Sequence, residues 1–214
     1  MSSIRDQIIK AAIAETTPPP YGKVSDRMLD SDGNRAGWRD LKAYFDEAVS
    51  GWSEMHWKAR GKIKPEGQNE WKTITYLEGV QKPNHRVPQP VYDTLGRLVK
   101  AVTGEQQYKE SGVSWCGIFA TWVLRRTGLG VWWMPGIVGN QVQKVSGNVG
   151  FQPGDVLVFH GKQVHHAVFI SENSKAYGGD GSLDTINGNS NYQSIERHSR
   201  YFPHQVWYYY KILG

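Results

Sequence analysis

The pattern of apolar residues changes near Gly150, and this change constrains the fold of the chain more than any other feature. Before it, apolar residues recur at helical spacing, whereas after it they form short runs separated by Gly, Asn and Ser turns. Helices followed by strands are typical of an α+β domain with a largely antiparallel sheet. The sequence therefore predicts an α+β fold in which N-terminal helices pack on a mainly antiparallel sheet.

Four helices are predicted before Gly150. The first begins with a capping-box pattern, Ser3 followed by Asp6, and ends at the Thr and Pro residues of positions 16–20. The other three cover residues 38–49, residues 91–102 and residues from about 115 to 126. The last of these places Cys116 at the start of a helix. Residues 52–90 are rich in Lys, Gly and Pro and contain only short strand-like pieces, such as residues 73–77.

Four strands are predicted after Gly150, over residues 155–160, 164–170, 185–187 and 206–213. The first two are typical of a hairpin, and His165 and His166 open its second strand. Neighbouring residues of a strand point to opposite faces of the sheet. We therefore expect only one of these two histidines to face the helix that carries Cys116.

Composition and charge limit the classes of partner. The N-terminus lacks the basic start, long apolar run and cleavage site of a signal peptide, and no segment approaches a membrane span. We therefore expect a protein made in the cytoplasm without membrane insertion. A formal charge of +5 favours anionic partners. The basic residues are scattered, however, and the aromatic-basic modules that bind nucleic acid are absent, so no nucleic-acid partner is predicted.

Cys116 is the only cysteine among 214 residues, so it forms no internal disulfide and its role is either chemical or one of packing. At a helix start, the first-turn N–H groups and the positive end of the helix dipole favour a thiolate. The alternative is an inert side chain, because Cys116 shares one helical stripe with Phe119, Ala120, Val123 and Leu124. The residues around it must decide between the two.

A cysteine nucleophile needs a base and a polar group that orients the base. His165 and His166 are the candidate bases, and Asn187 and Asn189 follow on the next strand as candidates for the third group. Asn187 with Gly188 is also a standard turn signal. No carboxylate or cysteine completes a metal-ligand spacing with these histidines, so neither a metal nor another cofactor is predicted.

Three segments, taken in order, resemble the CHAP and NlpC/P60 group of papain-like cysteine amidases and peptidases. They are Trp115-Cys116-Gly117-Ile118-Phe119, then Pro153-Gly154-Asp155 with the histidine hairpin that ends in His165-His166-Ala167, then Ile186-Asn187-Gly188-Asn189. The resemblance covers residues from about 91 to 212. It implies a papain-like catalytic core over residues 91–214, with residues 1–90 as a helical and irregular extension packed on the core.

The resemblance also implies roles for individual residues. Cys116 matches the nucleophile, and His165 is preferred over His166 as the base because Ala167 supplies the small residue that the group has two places after its histidine. Asn187 stands where CHAP domains carry a glutamate that orients the histidine, and Asn189 is the second candidate. An amide orients imidazole through its carbonyl oxygen but supplies no charge.

Members of the group mostly cleave amide bonds of bacterial peptidoglycan, so the resemblance implies a peptidoglycan amidase or endopeptidase that acts on stem peptides. A chain without a signal peptide would reach the periplasm or cell wall of a target cell as a phage lysin or as an antibacterial effector, for example of type VI secretion. An immunity protein or a secretion-system component would then be its protein partner. The alternatives are a papain-like deamidase or protease toxin acting on cytosolic proteins, and an inactive relative that binds the wall.

Overall fold

A computed structural model describes residues 2–17, 22–29, 35–49, 59–63, 72–76, 115–134, 136–161, 164–173, 178–190 and 194–214. Within these residues the helices are α1 (Ile4–Ala14), α2 (Trp38–Ala48) and α3 (Cys116–Arg126). The helix predicted over residues 91–102 lies outside the described residues. The other three predicted helices are confirmed. None of the described helices is both long enough and apolar enough to cross a lipid bilayer.

Six strands form one sheet, which confirms the predicted α+β class and the antiparallel pairing. The strands are β7 (Val142–Ser146), β8 (Val156–Phe159), β9 (His165–Glu172), β10 (Leu183–Asn187), β11 (Glu196–Tyr201) and β12 (Val206–Ile212). Their order is β11-β10-β9-β8-β12-β7, and each neighbouring pair is antiparallel. Strands β8 to β11 form a meander, and β12 returns to pair with β8. The edge strands β7 and β11 were not predicted, because exposed polar residues interrupt their apolar pattern.

Three short antiparallel pairs complete the strands of the described residues. They are β1 (Ser25–Leu29) with β2 (Arg35–Ala36), β3 (Ala59–Ile63) with β4 (Lys72–Tyr76), and β5 (Trp132–Trp133) with β6 (Ile137–Val138). The piece predicted over residues 73–77 corresponds to β4. The pair of β5 and β6 follows α3 directly, so it brings Trp133 close to the start of that helix.

Helix α1 is attached to the sheet by Arg5. Its guanidinium donates to the buried carboxylate of Asp155 at 2.7 Å and to the carbonyl oxygen of Ile212 at 3.0 Å. The Asp155 carboxylate also accepts the N–H of Ile212, so one buried charge is paired and hydrogen-bonded as its burial requires. The division into an extension over residues 1–90 and a core over residues 91–214 stays a prediction, since residues 77–114 lie outside the described part of the chain.

The sheet has two covered faces. The helix face carries α3 and consists of Val156, Val158, Val168, Ile186, Tyr208 and Tyr210. The far face consists of Leu157, Phe159, Ala167, Phe169, Leu183, Val206 and Tyr209. Residues Cys116 to Leu124 of α3 are all buried, between the helix face on one side and α2 on the other. This packing presents the first residue of α3 to the start of β9.

Candidate active site

Cys116 is the first residue of α3, as predicted. Trp115 precedes it without making a side-chain capping bond, the first turn holds no acidic residue, and Arg125 and Arg126 lie in the last turn. The first turn of α3 itself therefore supplies no carboxylate that would neutralise the partial positive charge at the helix start. The Cys116 side chain lies in this position with only 2% of its surface exposed, so the helix field acts on it with little screening by water.

The sulfur atom lies beside the junction of His165 and His166. The main-chain N–H of His166 donates to Sγ of Cys116 at 3.4 Å, and Nδ1 of His166 lies 3.7 Å from the same sulfur. His165 and His166 leave this point toward opposite faces of the sheet, and both interact electrostatically with the sulfur.

The two histidines do point to opposite faces of the sheet, as the alternation along a strand predicts. His166 is opposite Val158 on the helix face, where its ring packs against Trp133 at 5.1 Å and Tyr210 at 6.3 Å. His165 is opposite Phe159 on the far face, where its ring lies 6.0 Å from that of Tyr201. The expectation that only one of the two histidines faces α3 is confirmed, and that histidine is His166.

The surroundings of Cys116 favour its ionised form. Burial raises the pKa of the thiol, but the interactions of the sulfur with His165 and His166 lower it by more. The pKa of Cys116 therefore lies well below its ordinary value. A thiolate is the nucleophilic form of cysteine, so this residue is prepared to attack an electrophilic carbon.

Asn187 fixes the orientation of the His165 ring. Its Nδ2 donates to Oγ1 of Thr185 at 2.9 Å, to the carbonyl oxygen of Thr185 at 3.1 Å and to that of Glu196 at 3.4 Å. These three acceptors require the amide nitrogen, so Oδ1 must be the atom that faces Nε2 of His165 at 2.9 Å. Nε2 of His165 therefore donates to Asn187, and the lone pair of Nδ1 is left for the thiol.

Asn189, the second candidate for the orienting group, lies beyond the end of β10 in a left-handed conformation with φ of 54°. The hydrogen bond to His165 is made by Asn187 instead. Gly188, between the two, lies so close to α3 that a Cβ built there would be 2.6 Å from Cβ of Phe119. This close approach holds the end of β10, and with it Asn187, against the helix that carries Cys116.

The sequence did not predict that Trp133 and Tyr210 pack against His166. A Cβ built at Gly117 would lie 2.1 Å from the Trp133 ring, so this ring occupies the space beside the nucleophile that a side chain would otherwise fill. Glycine costs about 1 kcal/mol in a helix relative to alanine. Its position directly after Cys116 is the one signal in the sequence that indicates such a contact. Tyr210, which stacks on His166 from β12, has no comparable signal.

His198 on β11 adds a third ring near His165, on the far face opposite Thr185. Burial, then the charges of Arg200 and His165, lowers its pKa to about 4. Neither of its ring nitrogens has a hydrogen-bond partner in the described part of the chain. His198 is therefore neutral at physiological pH and adds no second positive charge beside His165.

The arrangement of thiol, imidazole and amide is suited to nucleophilic attack on a carbonyl group. Across residues 2–214, less the undescribed gaps, no group of three or more His, Cys, Asp or Glu side chains is placed to hold a metal ion. The expectation that no metal or cofactor is required stays a prediction. Comparison of the chain with protein family models, with curated proteins and with solved structures finds no match.

Proposed function

We propose that the protein is a cysteine hydrolase of papain-like fold that cleaves amide bonds of bacterial peptidoglycan. The observation that carries the proposal is the position of the Cys116 sulfur, at a helix start, against the start of β9. There Nδ1 of His166 lies 3.7 Å from the sulfur, and the neighbouring His165 is held by the amide of Asn187. The order of the three sequence segments supports the papain-like fold and the substrate class. The net charge of +5 suits a polyanionic cell wall.

In the proposed mechanism, Nδ1 of His165 takes the proton of the Cys116 thiol. The thiolate attacks the amide carbonyl carbon, and the carbonyl electron pair moves to the oxygen. When this adduct collapses, the C–N bond breaks and His165 gives its proton to the leaving amine. Water, deprotonated by His165, then attacks the thioester, and release of the carboxylate product returns the free thiol.

The amide of Asn187 is compatible with this chemistry and argues against an inactive relative. A carboxylate would add a charge that stabilises the imidazolium, but the Cys116 thiolate itself is the counter-charge of His165. The third group then needs only to orient the ring, which Asn187 does from a fully buried position with four hydrogen bonds. An inert, merely packed cysteine would have no reason to be surrounded by two imidazoles and a main-chain N–H.

The test incubates the protein with purified sacculi and detects released muropeptides by mass spectrometry. We expect wild type to release fragments with new termini at one amide bond, and Cys116→Ala to release none. Folding of the variant is checked by circular dichroism. Stem peptides of defined length then identify the bond that is cut.

A parallel incubation with cell lysate separates the proposal from the toxin alternative. Proteins that gain about 1 Da through conversion of a glutamine to a glutamate, or that are cut at defined peptide bonds, would indicate a deamidase or protease, since the same nucleophile serves these reactions. Such products without any release from sacculi would overturn the proposed substrate. Unchanged sacculi and unchanged lysate proteins would favour the inactive wall-binding relative.

The proposal includes the route to the substrate. We expect the protein to be made in the cytoplasm and delivered to the periplasm or cell wall of a target cell by a phage or a contact-dependent secretion system. A producing cell would then need an immunity protein against its own enzyme. Expression of the chain with an added export signal should lyse a host cell, whereas the exported Cys116→Ala variant should not.

A further inference from the structure

The rings of His165 and His166 differ in what their second nitrogen meets. Nε2 of His165 donates to Asn187, which leaves Nδ1 as the acceptor nitrogen of this ring. Nε2 of His166 is buried and has no hydrogen-bond partner among the residues that the structure describes. His166 as a whole has 6% of its surface exposed. The two neighbouring histidines therefore differ in which ring nitrogen donates and which accepts a hydrogen bond.

The surroundings of His166 determine where its proton lies. A proton on Nε2 would be a buried N–H donor without an acceptor among the described residues, and buried N–H groups without a partner are rare and costly in proteins. A proton on Nδ1 points toward Sγ of Cys116, 3.7 Å away, and a thiolate there makes the hydrogen bond charge-assisted. The neutral ring of His166 therefore carries its proton on Nδ1 and acts as a donor, whereas the neutral ring of His165 carries a lone pair on Nδ1 and can take up a proton there.

We propose that His166 is the side-chain donor of the oxyanion hole, so that Nδ1–H of His166 donates to the carbonyl oxygen of the substrate when sulfur bonds to the carbonyl carbon. The inference rests on the nucleophilic part of the proposed function, and not on peptidoglycan as the substrate. Nδ1 of His166 lies 3.7 Å from the attacking sulfur, and the main-chain N–H of the same residue donates to it.

The position of His166 allows one N–H group to stabilise negative charge first on the sulfur and then on the carbonyl oxygen of the substrate. In the adduct the oxygen is two bonds from Sγ, and effective donors lie about 3 Å from the oxyanion. A nitrogen 3.7 Å from the sulfur, bearing a proton directed at it, is within reach of an atom displaced from the sulfur by those two bonds. As the C–S bond forms, charge leaves the sulfur and arrives on the oxygen, and the same N–H stabilises both positions.

Packing holds the His166 ring in place before the reaction. Trp133 meets the ring edge-on and Tyr210 stacks on it, while Gly117 leaves room for Trp133. Donors that are fixed in a poorly hydrated site need no reorganisation when charge develops. The N–H groups of the first turn of α3 complete the donor set, since the turn has no acidic residue or side-chain cap.

The test compares two reactions of Cys116 that differ in whether an oxyanion forms. Acylation by p-nitrophenyl acetate passes through an oxyanion, whereas alkylation by iodoacetamide displaces iodide and forms none. Both rates are measured at the alkaline plateau, where the thiol is ionised in every variant. We expect the ratio of acylation to alkylation to fall about 100-fold or more in His166→Phe, as loss of one oxyanion donor does. His166→Gln, which keeps an N–H donor, should recover about tenfold of that loss.

Equal ratios in wild type, His166→Phe and His166→Gln would overturn the inference. Neither probe is peptidoglycan, so a protein that leaves sacculi intact but shows the expected ratios disproves the proposed substrate and keeps the inference. A wild-type thiol that fails to react with either probe disproves the nucleophile and the inference together.

The unaltered protein gives a second measurement that does not depend on how the variants fold. Long-range ¹H–¹⁵N correlation spectra of labelled histidines, recorded at a pH where both rings are neutral, distinguish a proton on Nδ1 from one on Nε2. We expect Nε2–H for His165 and Nδ1–H for His166. A proton on Nε2 of His166 would overturn the inference.

Discussion

The two faces of the sheet differ sharply where β9 begins, although each presents a histidine to the same sulfur. On the far face, His165 belongs to a hydrogen-bonded network with Asn187 and Thr185. On the helix face, His166 lies among aromatic rings and one of its nitrogens is unpartnered in the described residues. Chemically identical side chains thus acquire opposite hydrogen-bonding roles, because the polar face fixes an acceptor and the apolar face fixes a donor.

The largest effect is expected when the far-face histidine is replaced. His165→Gln removes the ring that accepts the thiol proton, and general-base catalysis contributes about 100-fold to 10,000-fold to a rate. We expect kcat/KM for peptidoglycan or stem-peptide hydrolysis to fall by about 1,000-fold. The fall in kcat/KM should be smaller in His166→Gln, the matched change on the helix face, because glutamine keeps a hydrogen-bond donor. The reverse order would assign the base to His166.

The same pair of variants has a pH signature. The pKa of Cys116 lies well below its ordinary value, and the hydrogen bond of His165 is the largest contribution that lowers it. Loss of that contribution leaves burial, which raises the pKa of the thiol, opposed by His166 alone of the two histidines. The midpoint of the iodoacetamide rate against pH should therefore move upward in His165→Gln, and by more than in His166→Gln. An unmoved midpoint would show that His165 does not stabilise the thiolate.

A smaller loss of activity is expected when Asn187 is replaced, because this residue acts only through His165. Asn187→Ala frees the His165 ring, and changes of this kind cost about 10-fold to 100-fold in activity. The Cys116 alkylation midpoint reports whether the ring still reaches the sulfur. An activity equal to wild type would exclude Asn187 as the orienting residue.

Asn187→Asp tests whether the site requires an amide. Aspartate is nearly isosteric with asparagine and carries the charge that CHAP domains have at this position. The far-face pocket offers three acceptors to Nδ2, two of them carbonyl oxygens. A carboxylate oxygen in place of Nδ2 would oppose these acceptors without a donor, at a cost of about 1–3 kcal/mol. Urea unfolding should show a corresponding loss in the free energy of unfolding of Asn187→Asp. Asn187→Ala has no carboxylate and so lacks this repulsion. The pocket is therefore built for an amide, which explains why an asparagine stands there.

The sequence predicted the parts of this site that depend on local pattern. The start of α3 at Cys116 follows from helical spacing, and the opposite directions of His165 and His166 follow from strand alternation. The approach of Trp133 and Tyr210 to His166 was missed, because each comes from a separate element and is fixed only by packing. The contact of both histidines with one sulfur was missed too, since alternation describes the direction of side chains and not the position of a partner at the end of the strand.

The helix face is tested through Gly117, where the expected effect is mainly on stability. Gly117→Ala places a methyl group 2.1 Å from the Trp133 ring, and overpacking of this kind costs about 1–3 kcal/mol. Trp133 must then move away from residue 117, which disturbs its ring contact with His166, so the ratio of acylation to alkylation should also fall. Gly130→Ala is the matched control, because the nearest atom to its added Cβ is 3.4 Å away on the side chain of Gln141. Equal unfolding free energies for the two variants would show that the Trp133 contact is not tight.

The smallest effect concerns His198, the third ring of the far face, and appears only in acid. Its pKa is lowered from 6.5 to about 4 by burial and by the charges of Arg200 and His165. Between these two values the unfolded chain binds a proton that the folded protein does not. Stability contributed by the neutral ring is thus fully present above pH 6.5, is lost as the pH falls towards 4, and changes no further below it. Urea unfolding at steps between pH 7 and pH 4 should show a steeper loss in wild type than in His198→Phe, which cannot titrate. If the two slopes agree, His198 is protonated as easily in the folded protein as in the unfolded chain.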